Sequence, residues 1–359
     1  MPSDALLDLV IAVHDASRPI RRAVESVLES GAGGGVRVTV VCHGIPSAIV
    51  AKQLEGLESD QLRVVEFDDG VASPAGPFNF GLSISEAEYI AIMGSDDFLE
   101  TGAMGTWLSW IREKSPDVLM VRLRYQDGEK LRIPLTRPWR QRALDPVRDR
   151  LFYQTAPLGL IRRKLIGERE LQLTPDLPVG SDMNFSARLW TSGARIDHAH
   201  NAPCYVIGSD AQTRVTTTVR PVRETAAPIN DLFGREWLQT LPRSHRAALV
   251  TKNLRIHLFG IIAARPTPDL WTLADFEELV ATARRVVAAE PRGMRPLCRA
   301  DRAVLDDIAN PASSVASVLE AWHARTRASR FALLLPRNPL YTFHRESTLT
   351  RYLLYRIAS

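Results

Sequence analysis

The chain has 359 residues, 45% hydrophobic and 24% charged, and its 45 Lys/Arg against 41 Asp/Glu leave a formal net charge of +4. This is the balance of a folded globular protein larger than one average domain; it excludes a disordered chain and gives no case for a nucleic-acid partner. Cys42, Cys204 and Cys298 are too scattered for a disulfide framework or a metal-ligand spacing, and no basic-then-apolar leader opens the sequence, so a cytoplasmic setting is expected.

Leu7–His14 is an apolar run that predicts a buried strand. Pro19 then opens a helix in which Ile20, Ala23, Val24, Val27 and Leu28 recur at helical spacing. Val36–Cys42 predicts a second strand, Pro46–Leu57 a helix, and Leu62–Phe67 a third strand. After a Gly/Pro-rich loop, a short helix over Phe80–Ala87 leads into the strand that starts at Tyr89. Trp107–Lys114 and Val118–Leu123 continue as helix and strand. This alternation predicts a parallel sheet with right-handed crossovers. Residues 121–170 are Arg-rich, with thirteen Lys/Arg against six Asp/Glu. They include the run Arg137-Pro138-Trp139-Arg140-Gln141-Arg142, either a solvated face or a contact for an anionic acceptor or membrane. From about residue 220 helical patterns dominate, over 230–240, 243–264, 273–290, 299–308 and 314–327. The expected division is therefore an α/β domain over 1–218 and a helical domain over 219–359. The apolar stretch Leu258–Ala264 is far shorter than the roughly 18 residues of a membrane span.

The most telling segment is Tyr89-Ile90-Ala91-Ile92-Met93-Gly94-Ser95-Asp96-Asp97. A buried strand there runs into two adjacent carboxylates at its carboxyl end, where open α/β sheets bind ligands. Paired carboxylates repel unless a cation or donors sit between them. A divalent cation carrying phosphates is one reading; a solvated helix start is the other.

Three further landmarks surround the pair. Leu9-Val10-Ile11-Ala12-Val13-His14-Asp15 is a strand ending in a polar turn; Asn79-Phe80-Gly81-Leu82 precedes Ala87-Glu88-Tyr89-Ile90; and Gly180-Ser181-Asp182-Met183-Asn184-Phe185 precedes Arg188-Leu189 and Gly193. In this order, over residues 7–210, they resemble a family 2 glycosyltransferase with the GT-A fold. The resemblance does not reach residues 220–359. It implies a mostly parallel nucleotide-binding sheet flanked by helices. It also implies an inverting transfer from a nucleotide-sugar donor to a polysaccharide, wall-polymer or lipid-linked acceptor. Asp182 is then the catalytic base, although Ser181 and Asp182 would also suit a helix cap. Asp97, with Asp96, would hold Mn²⁺ or Mg²⁺, and His14, Asp15, His43, Asn79 and Asp96 would meet the donor.

The chain departs from that pattern in three places. Val41-Cys42-His43-Gly44 ends the second strand without the usual acid, Phe78 stands where Arg is common before Asn79, and Gly94 stands where a further Asp is common. These losses keep a non-catalytic relative, serving binding or assembly, as the main alternative. A sugar nucleotidyltransferase is the lesser one, since Asp15-Ala16-Ser17-Arg18-Pro19 lacks a Gly-rich phosphate loop. His198 and His200 share a strand face and invite a metal only if a third ligand joins them. Arg214 resembles a site-closing basic residue, Trp139 a sugar-stacking aromatic, and Phe152 a core residue. For the helical domain an acceptor groove, a homodimer face and a membrane-facing surface all stay open, the last through Arg345, Arg351 and Arg356 among Leu349, Tyr352, Leu353 and Leu354.

Overall fold

The structure is a computed structural model and describes residues 5–30, 35–57, 59–131, 134–209 and 219–357. It divides into two compact units. One comprises residues 1–132, 139–144 and 155–215, and the other residues 133–138, 145–154 and 216–359. The Arg-rich stretch is thus shared between the two units.

The first unit alternates strand and helix: β1 (Leu7–Val13), α1 (Ile20–Leu28), β2 (Val36–His43), α2 (Ser47–Gln53), β3 (Leu62–Phe67), α3 (Ala75–Ile84) and β4 (Tyr89–Gly94). It continues through β5 (Phe98–Leu99), α4 (Ala103–Lys114), β6 (Val118–Val121), β7 (Leu123–Tyr125), β8 (Lys130–Leu131), β9 (Gly159–Arg162), α5 (Lys164–Glu168), α6 (Asp182–Trp190), β10 (Ile196–Ala199) and β11 (Tyr205–Ile207). Seven strands form one sheet in the order β10-β6-β9-β4-β1-β2-β3. The alternation of side chains along β1 and β2 decides the layers. Leu7, Leu9, Ile11, Val13, Val36, Val38 and Val40 join one core with Ile20, Val24 and Val27 of α1 and Met104, Trp107 and Leu108 of α4. On the opposite face α3 comes so close that a Cβ on Gly81 would overlap Val10 Cγ1. Only glycine permits that approach.

The sheet is parallel except at β9, which pairs antiparallel with both β4 and β6. The expected six-residue strand over 118–123 is interrupted at Arg122. β6 stays in the large sheet, while β7 joins the four-stranded sheet β5-β11-β7-β8. α3 begins five residues before the expected start, because Pro74 and Pro77 stand at the helix entry, where a missing N–H costs nothing.

The second unit is helical: α7 (Val222–Gly234), α8 (Glu236–Thr240), α9 (Arg243–Lys252), a π-helical turn over Asn253–Leu258, α10 (Phe259–Ala263), α11 (Leu273–Ala289), α12 (Arg299–Ala309), α13 (Val315–Thr326), α14 (Arg330–Leu334) and α15 (Thr348–Ile357). Within it α7 packs on α11 and α12 on α13. Among the described residues no helix is long and apolar enough to cross a membrane. All three cysteines are free and buried.

Candidate active site

Strand register brings the candidate residues to one edge. Val13 is paired with Cys42, His43 with Phe67, and Ala12 with Gly94. The carboxyl ends of β1, β2, β3 and β4 therefore lie in line, and the loops leaving them meet at that edge.

After β4 the two carboxylates part company. Asp96 stays partly exposed and accepts from Arg18 Nη1 at 2.9 Å, while Arg22 Nη2 donates to its carbonyl oxygen at 2.5 Å. Asp97 turns inward. Its Oδ2 accepts from the Tyr205 hydroxyl at 2.5 Å and its Oδ1 accepts from the Gly208 N–H at 2.9 Å. Burial pushes the Asp97 carboxyl above its ordinary range, and the neighbouring Asp96 charge pushes the same way. Such a carboxylate gains by meeting a cation.

The departure at Gly94 now has a physical reason. A Cβ there would stand 2.6 Å from Asp97 Oδ2 and 3.2 Å from Asp96 Oδ1, so both carboxylates face bare backbone. A third acid at this position would collide with the two that are present. Gly208 is equally constrained, since its Cβ would overlap the Asp96 carbonyl oxygen. Two oxygen donors facing one small space suit a divalent ion that keeps water or phosphate in its remaining positions.

Tyr205 locks this arrangement, because its hydroxyl also accepts the Gly94 N–H at 3.2 Å. Tyr205→Phe would leave both that N–H and Asp97 Oδ2 short of a partner. The expected cost is about 1–3 kcal/mol of unfolding free energy, read by urea titration. An unchanged midpoint would mean that the hydroxyl contributes nothing.

At the ends of β2 and β3 sits a cluster that the strand-end residues of β2 failed to announce. His43 Nε2 lies 2.9 Å from Asp69 Oδ1, and His43, Asp68 and Asp69 can bring one ligand atom each within 4.8 Å of one another. The hydrogen bond from His43 holds the Asp69 carboxyl below its usual value, and the Val71 N–H assists. Gly76 makes room for it, since a Cβ there would overlap Asp69 Oδ2. His43 stacks on Phe67, and Phe67 on Phe80 at 4.8 Å between ring centres. The sequence held a signal for this cluster: Phe67-Asp68-Asp69-Gly70 repeats the strand-then-two-acids pattern of Asp96-Asp97.

Of the other donor candidates, Asp15 accepts the Ser17 N–H at 2.8 Å, which lowers its pKa, and burial with Arg18 nearby lowers that of His14. Asn79 is spent elsewhere. Its amide donates to the Leu173 carbonyl at 2.9 Å and its oxygen accepts the Leu173 N–H at 3.0 Å. It thus braces the segment that leads to Asp182 rather than offering its amide to a ligand. Asp182 is the first residue of α6, and the Ser181 side chain makes no capping bond. A cavity of about 320 Å³ joins Asp182 to Asp97, Gly94, Phe78, Leu173 and Tyr205, a size that suits a small ligand. Phe78, Asp97 and Asp182, scattered over a hundred residues, thus line one space.

Several expectations lie away from this cavity. His198 and His200 sit with rings 5.9 Å apart, and no third metal ligand joins them among the described residues. Burial depresses His198 to about 4. The unfolded chain therefore binds a proton that the folded one refuses, so stability is lost as pH falls from 6.5 towards 4. Thermal melting across that window should show the loss, and His198→Gln should flatten it. Phe152 is buried and Trp139 is 91% exposed. Arg137, from the basic run, is held by Asp149 at 2.7 Å. Arg214 lies outside the described residues.

Residues 8–169 match the family model described as Glycosyl transferase family 2. Residues 8–169 thus read as a family 2 glycosyltransferase domain, and the match does not extend to the rest of the chain. The chain is 20% identical, over 251 residues, to the poly(ribitol-phosphate) beta-N-acetylglucosaminyltransferase TarS of Staphylococcus aureus, covering 67% of this chain and 43% of that one. It is 19% identical over 197 residues to a poly(ribitol-phosphate) beta-glucosyltransferase of Bacillus spizizenii, covering 54% of this chain and 30% of the relative. It therefore spans less than half the length of these curated relatives. The crystal structure of S. aureus TarS 1-349 in complex with UDP-GlcNAc superposes with a TM-score of 0.74 at 13% identity, over 89% of this chain and 91% of that one. The corresponding UDP complex gives 0.66 at 15% identity, over 90% and 92%. These likenesses establish the GT-A fold, including the helical region that comes after it in the chain.

Proposed function

We propose that this chain is a metal-dependent, inverting glycosyltransferase that moves a sugar from a UDP-linked donor to a hydroxyl of a polyol-phosphate wall polymer. The observation that carries the reading is the single cavity shared by Asp97 and Asp182, with Asp96, Arg18 and the His43–Asp69 pair along the same sheet edge. The donor and acceptor classes are those in the names of the relatives.

The chemistry distributes over these residues. Asp96 and Asp97 would hold Mn²⁺ or Mg²⁺, which supplies charge neutralisation for a departing diphosphate. Arg18 would add a second positive group beside it, a role for which Phe78 has no charge. His43 and Asp69, with Asp15, would meet the nucleoside, Asp69 accepting a base or ribose N–H or O–H. Asp182 would take the proton of the acceptor hydroxyl as its oxygen bonds to the anomeric carbon and the bond to the nucleotide breaks. One base and no nucleophile means one displacement, hence inversion.

Release of UDP from UDP-GlcNAc and UDP-glucose, with and without poly(ribitol phosphate), tests the reading. Acceptor-stimulated release from one donor and a β-linked product support it. A retained anomeric configuration would remove the single-displacement mechanism, and no release from any nucleotide sugar would favour a binding role.

A further inference from the structure

The segment of the helical unit from Arg325 onward is chemically unlike the rest. Between Arg325 and Arg356 the sequence holds seven arginines, and its only acid is Glu346, which is buried. The same segment exposes large apolar side chains: Phe331 at 75%, Leu340 at 88% and Phe343 at 80%, with Leu353, Tyr355 and Ile357 added by α15. Neither α14 nor α15 buries a residue, so these side chains are not the edge of a core. So many exposed large apolar side chains in one short segment mark a contact site.

Beside it lies a cavity of about 390 Å³ lined by Arg295, Arg302 and Arg337 together with Asn338 and Tyr341. Arg295 is steadied by the Tyr341 hydroxyl at 2.8 Å, and Arg302 by Asp306 at 3.2 Å. Arg337 also pairs with Asp306. Two of the three guanidiniums share the Asp306 carboxylate, and the Arg302 Nε is buried without a hydrogen bond among the described residues. Guanidinium groups so arranged recognise phosphate. Leu340 lies between the lining residues Asn338 and Tyr341 in the sequence, so the phosphate site and an apolar anchor share one turn.

We propose that this segment docks the protein on a bilayer containing anionic phospholipid. Phe331, Leu340 and Phe343 enter the interfacial layer, and the Arg295–Arg302–Arg337 cavity takes a headgroup phosphate. Charge decides between the occupants. An isologous dimer through this face would set its arginines against the same arginines of a second copy; an anionic lipid surface neutralises them. Docking of this kind concerns the helical unit alone and does not rest on the transferase reading.

Flotation of the full chain with phosphatidylcholine vesicles, with and without phosphatidylglycerol, tests it. Binding should require the anionic lipid and weaken as salt rises. Arg295→Gln and Arg337→Gln should each weaken it about fivefold. The triple variant Phe331→Ser, Leu340→Ser, Phe343→Ser should lose on the order of a hundredfold or more, with its melting curve and UDP binding unchanged because all three sites are exposed. Equal binding to neutral vesicles, no binding to either, or full binding by the serine variant would overturn the proposal. So would light scattering that finds a dimer abolished by the same three serines, which would give the face to a second copy.

Discussion

Asp182→Asn is expected to slow sugar transfer by about three orders of magnitude while leaving UDP affinity essentially unaltered. The size comes from what a positioned base supplies, about 10²- to 10⁴-fold. The selectivity comes from placement, because Asp182 lines the cavity from the start of α6, whereas the donor candidates sit at the ends of β1 to β4. Asn is nearly isosteric and keeps the helix start, and the loss of a negative charge from the first turn should cost about 0.3–1 kcal/mol of stability. Single-turnover rates beside UDP calorimetry separate the effects. Transfer that survives within about tenfold would remove Asp182 from the base role.

Glu346→Ala should destabilise the helical unit by about 3–5 kcal/mol, the largest stability change expected in the chain. Glu346 is only 2% exposed and accepts from the Tyr153 hydroxyl at 2.9 Å. Arg255 approaches it at 3.5 Å, and Arg150 and Arg351 at 3.9 Å. Truncation would remove the carboxylate that the three guanidiniums around Tyr153 share. Glu346→Gln keeps an acceptor for Tyr153 and should cost less. Burial raises Tyr153 to about 12. The folded state therefore keeps its phenol proton where the unfolded chain has lost it, so the stability this group supplies is full below pH 10 and is lost as pH rises towards about 12. Urea titrations of the three proteins at neutral pH check the order wild type, Gln, Ala. Equal midpoints would show that the buried carboxylate is dispensable.

The sheet and the candidate carboxylates were legible because both rest on local patterns. β1 arises from a largely apolar run with a clear stop, and Asp96–Asp97 stood out as carboxylates at a strand end. Asp182 took its meaning from its order after the other landmarks. What local pattern could not carry was partnership across sequence. Tyr205 reaches Asp97 over 108 residues and Arg18 reaches Asp96 over 78, and neither residue has a periodicity that announces it. β9 is only the four residues Gly159–Arg162, too short a span to carry a direction, so its antiparallel placement had no signal. Asn79 carried a motif whose amide proved to be structural. Gly94 read as a loss; with the carboxylates in view it is the space they require.

The edge between Asp15, His43, Asp69 and Asp96–Asp97 should receive a nucleoside diphosphate with a divalent cation. Calorimetric titration of the full chain with UDP, GDP and dTDP, with and without Mn²⁺, tests this most directly. UDP is expected to bind, Mn²⁺ to tighten it by about tenfold or more, and Asp97→Asn to remove the Mn²⁺ effect. Failure of every nucleotide to bind in either condition, or UDP binding indifferent to both Mn²⁺ and Asp97, would contradict it.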